Sequence, residues 1–223
     1  MTYKKIMKEG GQTLGGLFLL QQASLWKISF ILGSKMLFFS GVSVIGPLLG
    51  AWKNIRQCTA VLLGKMFLRI LITKKVWSAA LFALHLPGFI AALSWARPSY
   101  ATKIGVPLLC MLLFIVHPVG ADAWVYSLYW LIPMFLFIGN YHSIFAQALS
   151  ATFIAHAVGS VLRLYTIPMT AGTWVLLLPI VPAERLVFSS AMTVAYYSVI
   201  WAKRVYTVTV EKLTTIRVQS HNI

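Results

Sequence analysis

"SIFAQALSATFIAHAVGSVLRLY" (residues 143–165) is apolar apart from a few hydroxyls, Gln147, one histidine and one arginine. As an α-helix it rises about 35 Å, enough to cross the ~30 Å hydrocarbon layer of a bilayer. Its polar residues are ordered. Thr152, His156 and Ser160 recur every four residues and Arg163 follows three later, so all four fall within an arc of about 80°. Ala151, Ala155 and Gly159 form a second stripe beside them. Small residues let a neighbouring helix approach closely, and polar groups then find partners across the contact. The helix is expected to pack inward, with its His–Ser–Arg edge facing the bundle or a cavity.

The rest of the chain has the same character. Of its 223 residues, 59% are hydrophobic, 10% are charged and only four are acidic. An ordinary soluble domain carries roughly a quarter charged residues. Apolar stretches recur from residue 28 to residue 202. Lipid solvates helices that are apolar all round, whereas a soluble core of this size cannot absorb so many. The expected fold class is all-α, a polytopic transmembrane helical bundle. A transmembrane barrel would instead alternate polar and apolar residues in short strands. The net charge of +15 does not indicate nucleic acid, because the basic residues sit at the ends of apolar runs: Lys4, Lys5 and Lys8, Lys53 and Arg56, Lys74 and Lys75, Arg97 and Lys103, Lys203 and Arg204. That pattern suits anionic headgroups and topology control. Cys58 and Cys110 lie in different segments and form no CxxC, so neither a disulfide framework nor a zinc site is implied.

Three regions follow. Residues 1–27 are a basic, interfacial N-terminal segment. Their apolar stretch is short, and Gln21 and Gln22 follow it without a small-residue cleavage site, which argues against a signal peptide. Leu14, Phe18 and Leu25 share a helical face, placing residues 12–26 on the membrane surface. Residues 28–202 form the transmembrane domain and 203–223 a basic cytoplasmic tail. The candidate crossings are 28–52, 76–96, 104–120, 124–139, 143–165 and 173–202. The first is broken by Gly41, Gly46 and Pro47, and the last is divided by Pro179 and Pro182, with its crossing helix beginning near Pro182. Residues 58–72, with Lys65 and Arg69, form either a surface helix or a short snorkelling span. This gives about six spans, or seven if 58–72 crosses. Six place Lys203, Arg204, Arg97, Lys103 and the N-terminal lysines inside, and leave Lys53, Arg56, Lys74 and Lys75 outside.

The candidate binding residues are His156, Ser160, Arg163, Glu184, Arg185, Trp130 and His85. For His156 and Arg163 two readings stand: a ligand site, or polar contacts between helices with Arg163 snorkelling. Glu184 and Arg185 point about 100° apart on a helix, so each is expected to find another partner. Glu184 follows Pro182, where a carboxylate suits the helix dipole. At membrane depth it would instead need Arg163, Arg185 or a cationic ligand. His85 in "HLPG" and His117 in "HPVG" are expected to bond carbonyls released by the prolines. Asp122 is a loop acid or cap. In "WVYSLYW" (124–130), Trp124 and Tyr126 suit an interfacial belt, and Trp130 lies deeper, where it can stack on a ligand. There is no GxSxG, HExxH or Walker sequence and no carboxylate-rich metal site. No enzyme activity, metal or cofactor is expected.

The broken first span "FFSGVSVIGPLLGA" (38–51), the late "PAERLVFSSAMTVAYY" (182–197) and the AxxxA spacings Ala79–Ala83 and Ala92–Ala96 resemble the membrane-embedded S components, the substrate-binding subunits of energy-coupling factor vitamin transporters. The similarity covers most of the chain in layout. It implies a small vitamin-like ligand bound near the outer face of a bacterial inner (plasma) membrane. It also implies a separate ATPase and transmembrane module that drives release inward, with the small-residue helices facing that partner. Two other classes remain open: a membrane scaffold or assembly protein whose polar residues are all structural, and a membrane cytochrome using His85, His117 and His156 as haem ligands.

Overall fold

The computed structural model describes residues 3–25, 27–30, 38–52, 55–73 and 79–220. In chain order these form α1 (Tyr3–Leu25), a strand pair β1 (Lys27–Phe30) and β2 (Phe38–Ser40), α2 (Val42–Trp52), α3 (Ile55–Thr73) and α4 (Ala79–Ala96). A π-helical turn (Ala101–Gly105) leads into α5 (Val106–Val116) and the short α6 (Pro118–Asp122). A 3₁₀ helix (Trp124–Trp130) leads into α7 (Leu131–Ile138), and α8 (Ile144–Thr166), α9 (Ala171–Leu176) and α10 (Ile180–Ser220) complete the chain. Among the described residues the fold is all-α apart from that antiparallel strand pair, which joins Lys27 to Ser40 and Phe30 to Phe38.

Local chemistry sets the boundaries. The Ser143 side chain caps α8 by accepting from the Ala146 amide at 3.1 Å, satisfying one of the amides that a helix start leaves without a partner. The helix stops at Thr166, just ahead of Pro168. Thr170 caps α9 in the same way through the Thr173 amide. His117, the residue before Pro118, is extended (φ −75°, ψ 133°), as the proline ring demands of its predecessor. That bend ends α5, and Pro118 then opens α6 as its first residue, where a missing N–H costs nothing.

Two segment expectations change. Among the described residues of 28–52 the chain is not one interrupted helix: 28–30 and 38–40 belong to the strand pair and 42–52 is helical. Pairing Lys27–Phe30 with Phe38–Ser40 satisfies backbone groups between strands where a helix would have satisfied them internally. The last run breaks at residues 177–179, and a single 41-residue helix then runs from Ile180 through the basic tail.

α8 is the central element, with α4, α10, α5, α7 and the 3₁₀ helix packed around it. Its small-residue edge meets α4. Ala148 and Ala151 are fully buried with Ala91 and Trp95 of that helix, and Gly159 lies where an added Cβ would be 3.6 Å from Pro87 Cγ. α2 crosses α4 more closely still. A Cβ on Gly50 would overlap the Ala92 carbonyl oxygen, so this crossing needs the one residue without a Cβ. Ala92, read from sequence as part of a docking stripe for an external partner, is therefore spent inside the chain, fully buried with Leu49 of α2. The side chains of Ala79 and Ala83 lie outside the described residues. α1 packs on α3 through Leu17, Leu20, Cys58 and Val61, while Leu14, Phe18 and Leu25 face outward.

The exterior is unusually apolar. α5 buries only the stripe Pro107, Cys110 and Phe114. Leu108, Leu109, Leu112, Leu113, Ile115 and Val116 are exposed. α10 exposes Leu186, Val187, Val194, Ile200 and Trp201. Among the described residues α8 is the one helix both long and apolar enough to cross a membrane, and most of it is buried. Shorter apolar helical segments cover Val42–Trp52, Ala101–Val116 and Trp124–Ile138.

A buried tyrosine–histidine cluster as candidate functional site

The polar edge of α8 does not stand alone. Tyr126 of the 3₁₀ helix, 2% exposed, places its hydroxyl 2.9 Å from His156 Nε2 and 3.5 Å from Ser160 Oγ. A 3₁₀ helix repeats every three residues. That aligns Ala123 with Tyr126 and Ser127 with Trp130, all four buried, while Trp124, at the start of the segment, is exposed. Tyr126 is thus a buried partner of His156 and not part of an interfacial belt. Ser127 Oγ returns its proton to the Trp124 carbonyl at 2.7 Å. The Tyr129 hydroxyl donates to the Leu178 carbonyl at 2.7 Å, tying this segment to the turn before α10.

α10 brings the charges. Arg185 Nη2 lies 3.2 Å from Glu184 Oε2, and the Arg185 guanidinium sits over the Phe188 ring at 5.0 Å. Adjacent residues that diverge at Cα still meet here, because their long side chains bend toward one another. The expectation of separate partners for the two is therefore corrected. His156 feels the charges of Arg185 and Arg163, and Tyr126 those of Arg185, Arg163 and Glu184. Three elements thus bring Arg163, Arg185 and Glu184 within electrostatic reach of Tyr126, which His156 and Ser160 meet by hydrogen bond.

An aromatic wall closes one side. Phe114 is stacked on Tyr126 at 5.7 Å and takes Trp130 and Trp174 edge-on at 5.3 and 5.2 Å. Tyr126 and Trp174 are 4.9 Å apart. Trp130, expected as a stacking platform, is fully buried in this wall. The indole Nε1 atoms of Trp130 and Trp174 are buried without a hydrogen-bond partner.

The remaining candidates lie elsewhere. His85 is not brought into the cluster: α4 turns it toward α3, where its charged neighbours are Lys65 and Arg69. Its Nε2 and His117 Nδ1 are buried without partners, so those two atoms take no carbonyl released by the adjacent prolines. His117 instead meets Tyr165 edge-on at 5.0 Å. Among the described residues no group of three or more His, Cys, Asp or Glu side chains gathers to hold a metal.

Lys103, read from sequence as a topology-setting cation, is 1% exposed. Its Nζ donates to Ser150 Oγ at 2.9 Å and Gln147 Oε1 at 3.2 Å, both on α8. The π-helical turn carries it inward. Among the surface hollows at the described residues are two beside the bundle. One, about 470 Å³, is lined by His117, Leu164, Tyr165, Pro168, Met169 and Thr170 among others. The other, about 410 Å³, lies at Ile55, Leu93, Arg97 and Thr102. Neither is lined by the tyrosine–histidine cluster. In comparisons with known proteins, no family model, curated protein or solved structure matches this chain.

Proposed function

We propose that this chain is an integral membrane protein, a polytopic bundle of about six spans in an inner (plasma) membrane. It binds a small, vitamin-like nutrient and works with a separate energising module, in the manner of the S components it resembles. α3 is not counted among the crossings. One observation carries the binding assignment. Tyr126, His156, Ser160, Arg163, Glu184 and Arg185 converge from three helices in a molecule whose outer surface is lined with leucine, valine and isoleucine. Ionisable groups inside an apolar bundle are expensive to keep, and they mark ligand or ion sites by default. The exposed faces of α5 and α10 support the membrane reading, since soluble monomers do not present contiguous apolar surfaces of this kind.

The test is a thermal-shift screen of the detergent-purified protein against a vitamin and metabolite panel. A ligand at a hundred times its Kd adds about 2.7 kcal/mol to stability by mass action. His156→Ala is expected to abolish that shift while leaving the unliganded protein folded. Co-purification with an ATPase module supports the transport role. The second reading, an assembly scaffold, is favoured by the close packing of the cluster away from both hollows. It predicts no shift with any compound and an unfolded His156→Ala.

A further inference from the structure

The hollow at the C-terminal end of α8, about 470 Å³, gathers backbone groups that the chain does not pair. α8 ends at Thr166, and the last carbonyls of a helix find no amide within it. In a continuing helix the amide of residue 168 would reach the Leu164 carbonyl, but residue 168 is proline and has no N–H. Among the described residues no backbone amide reaches the carbonyls of Leu164, Tyr165 or Thr166, and no backbone carbonyl accepts from the amides of Met169 or Thr170. All five residues line the hollow. Their hydroxyls are engaged elsewhere. Tyr165 donates to the Leu113 carbonyl at 2.8 Å, Thr166 Oγ1 donates to the Leu162 carbonyl at 2.7 Å, and Thr170 Oγ1 caps α9. The first of these bonds also holds the Tyr165 ring against α5. His117, which lines the same hollow, meets that ring edge-on at 5.0 Å. Leu164 and Met169 join the hollow to the apolar core.

We propose that this hollow is a ligand site in its own right, separate from the tyrosine–histidine cluster, and that it takes an uncharged ring bearing an amide or lactam edge. Such an edge places one N–H donor beside one carbonyl acceptor. It can therefore answer a helix-end carbonyl and a loop amide together, and those are the groups the hollow leaves unpaired. Charge argues for a neutral molecule. No Lys, Arg, Asp or Glu lines the hollow, so neither an anion nor a cation finds a counter-ion there. An anion would also face the negative end of the α8 dipole, and a cation would meet Arg163 in the last turn of that helix. The Tyr165–His117 pair gives the ring an aromatic wall, which prefers edge-on or offset contact with a second ring. The volume lies within the about 300–1,000 Å³ of small-molecule sites, which are mostly apolar with a few placed polar groups.

The experiment is saturation-transfer NMR on the full-length protein in detergent, with two matched pairs of probes. Benzamide is compared with N,N-dimethylbenzamide, and 2-pyridone with N-methyl-2-pyridone. The second member of each pair keeps the ring and the acceptor and lacks the N–H donor. Sodium benzoate and benzylammonium chloride supply the anion and the cation. Benzamide and 2-pyridone are expected to bind saturably, their N-methylated partners about fivefold or more weaker, and the two ions without saturation. Tyr165→Leu removes the aromatic wall and Ile167→Trp fills space in the hollow, whose lining includes both positions. Each should raise the apparent Kd for benzamide about tenfold or more. Ile167 is exposed, so I167W serves where Y165L, which also loses the bond to Leu113, lowers stability. His156→Ala should leave benzamide binding unchanged. Methylated probes that bind as well as their parents, or ions that bind better, overturn the amide-edge assignment. No saturable binding, or binding untouched by both Y165L and I167W, overturns the site. Binding lost in H156A and kept in I167W assigns the probe to the tyrosine–histidine cluster instead, which overturns this proposal and supports the reading above.

Discussion

Gly50 and Gly88 both sit inside helices, and the same substitution is expected to act on them with opposite sign. In Gly50→Ala the new Cβ meets the Ala92 carbonyl oxygen, with Ala92 C and Ala96 N each 3.0 Å away. All three are backbone atoms, so no rotamer change relieves the overlap and α2 must move away from α4. The contact disturbed includes Leu49 and Ala92, both buried. Overpacking of this kind costs about 1–3 kcal/mol, and a rigid backbone obstacle belongs at the upper end. Alanine's better helix propensity returns up to about 1 kcal/mol, leaving a net loss of about 1–2 kcal/mol. In Gly88→Ala nothing lies within 4 Å of the new Cβ, so the propensity term acts alone and the gain is about 0.5–1 kcal/mol. For a chain of this size 1 kcal/mol moves the melting temperature by about 2–4 °C. The two variants should therefore melt roughly 3–12 °C apart, with the wild type between them, by circular dichroism in detergent. Equal melting temperatures, or a Gly50→Ala protein as stable as wild type, would refute the close α2–α4 crossing.

Other consequences are equally concrete. Tyr126→Phe keeps the ring stacked on Phe114 and removes the hydroxyl that joins His156 to Ser160. It should lower stability by about 1–3 kcal/mol in denaturant titration, and a neutral effect would show that the pair carries no weight. Gln147→Leu deprives the buried Lys103 amine of an acceptor and should destabilise by about 1–3 kcal/mol. Lys103→Met removes the buried charge with a side chain of similar length, so it should stay within about 1 kcal/mol of wild type or exceed it. The opposite order would mean that the lysine holds an unseen carboxylate. In nanodiscs, spin labels at Leu112 and Val194, both outward-facing, should relax strongly with oxygen and weakly with a water-soluble nickel chelate, while a label at Lys203 does the reverse. Equal water accessibility at all three would remove the membrane reading.

Much of the helical layout was legible because it rests on local pattern. α8 spans almost the stretch that its apolar length predicts, and its Thr152–Ser160 edge is buried where period-3.6 spacing places it. What could not be read depended on partners far along the chain or on backbone that departs from the α-helix. Tyr126 meets a histidine 30 residues away. Lys103 looked like a loop cation until a π-helical turn redirected it. The strand pair at 27–40 was hidden because its residues are as apolar as a span, and apolarity does not distinguish the two ways of pairing a backbone. The Glu184–Arg185 contact was missed because spacing rules describe Cβ directions, not the reach of long side chains.

The length of α10 has a mechanical consequence. Arg185 stands in its second turn and Ser220 at its end, about 50 Å apart along the axis. A pivot of about 5° at the Arg185 end sweeps the far end through roughly 5 Å. A partner gripping the basic end would therefore feel, magnified several-fold, any adjustment of the guanidinium that a bound molecule imposes. Conversely, a pull on that end would be delivered with the same leverage to the Arg185–Glu184 ion pair.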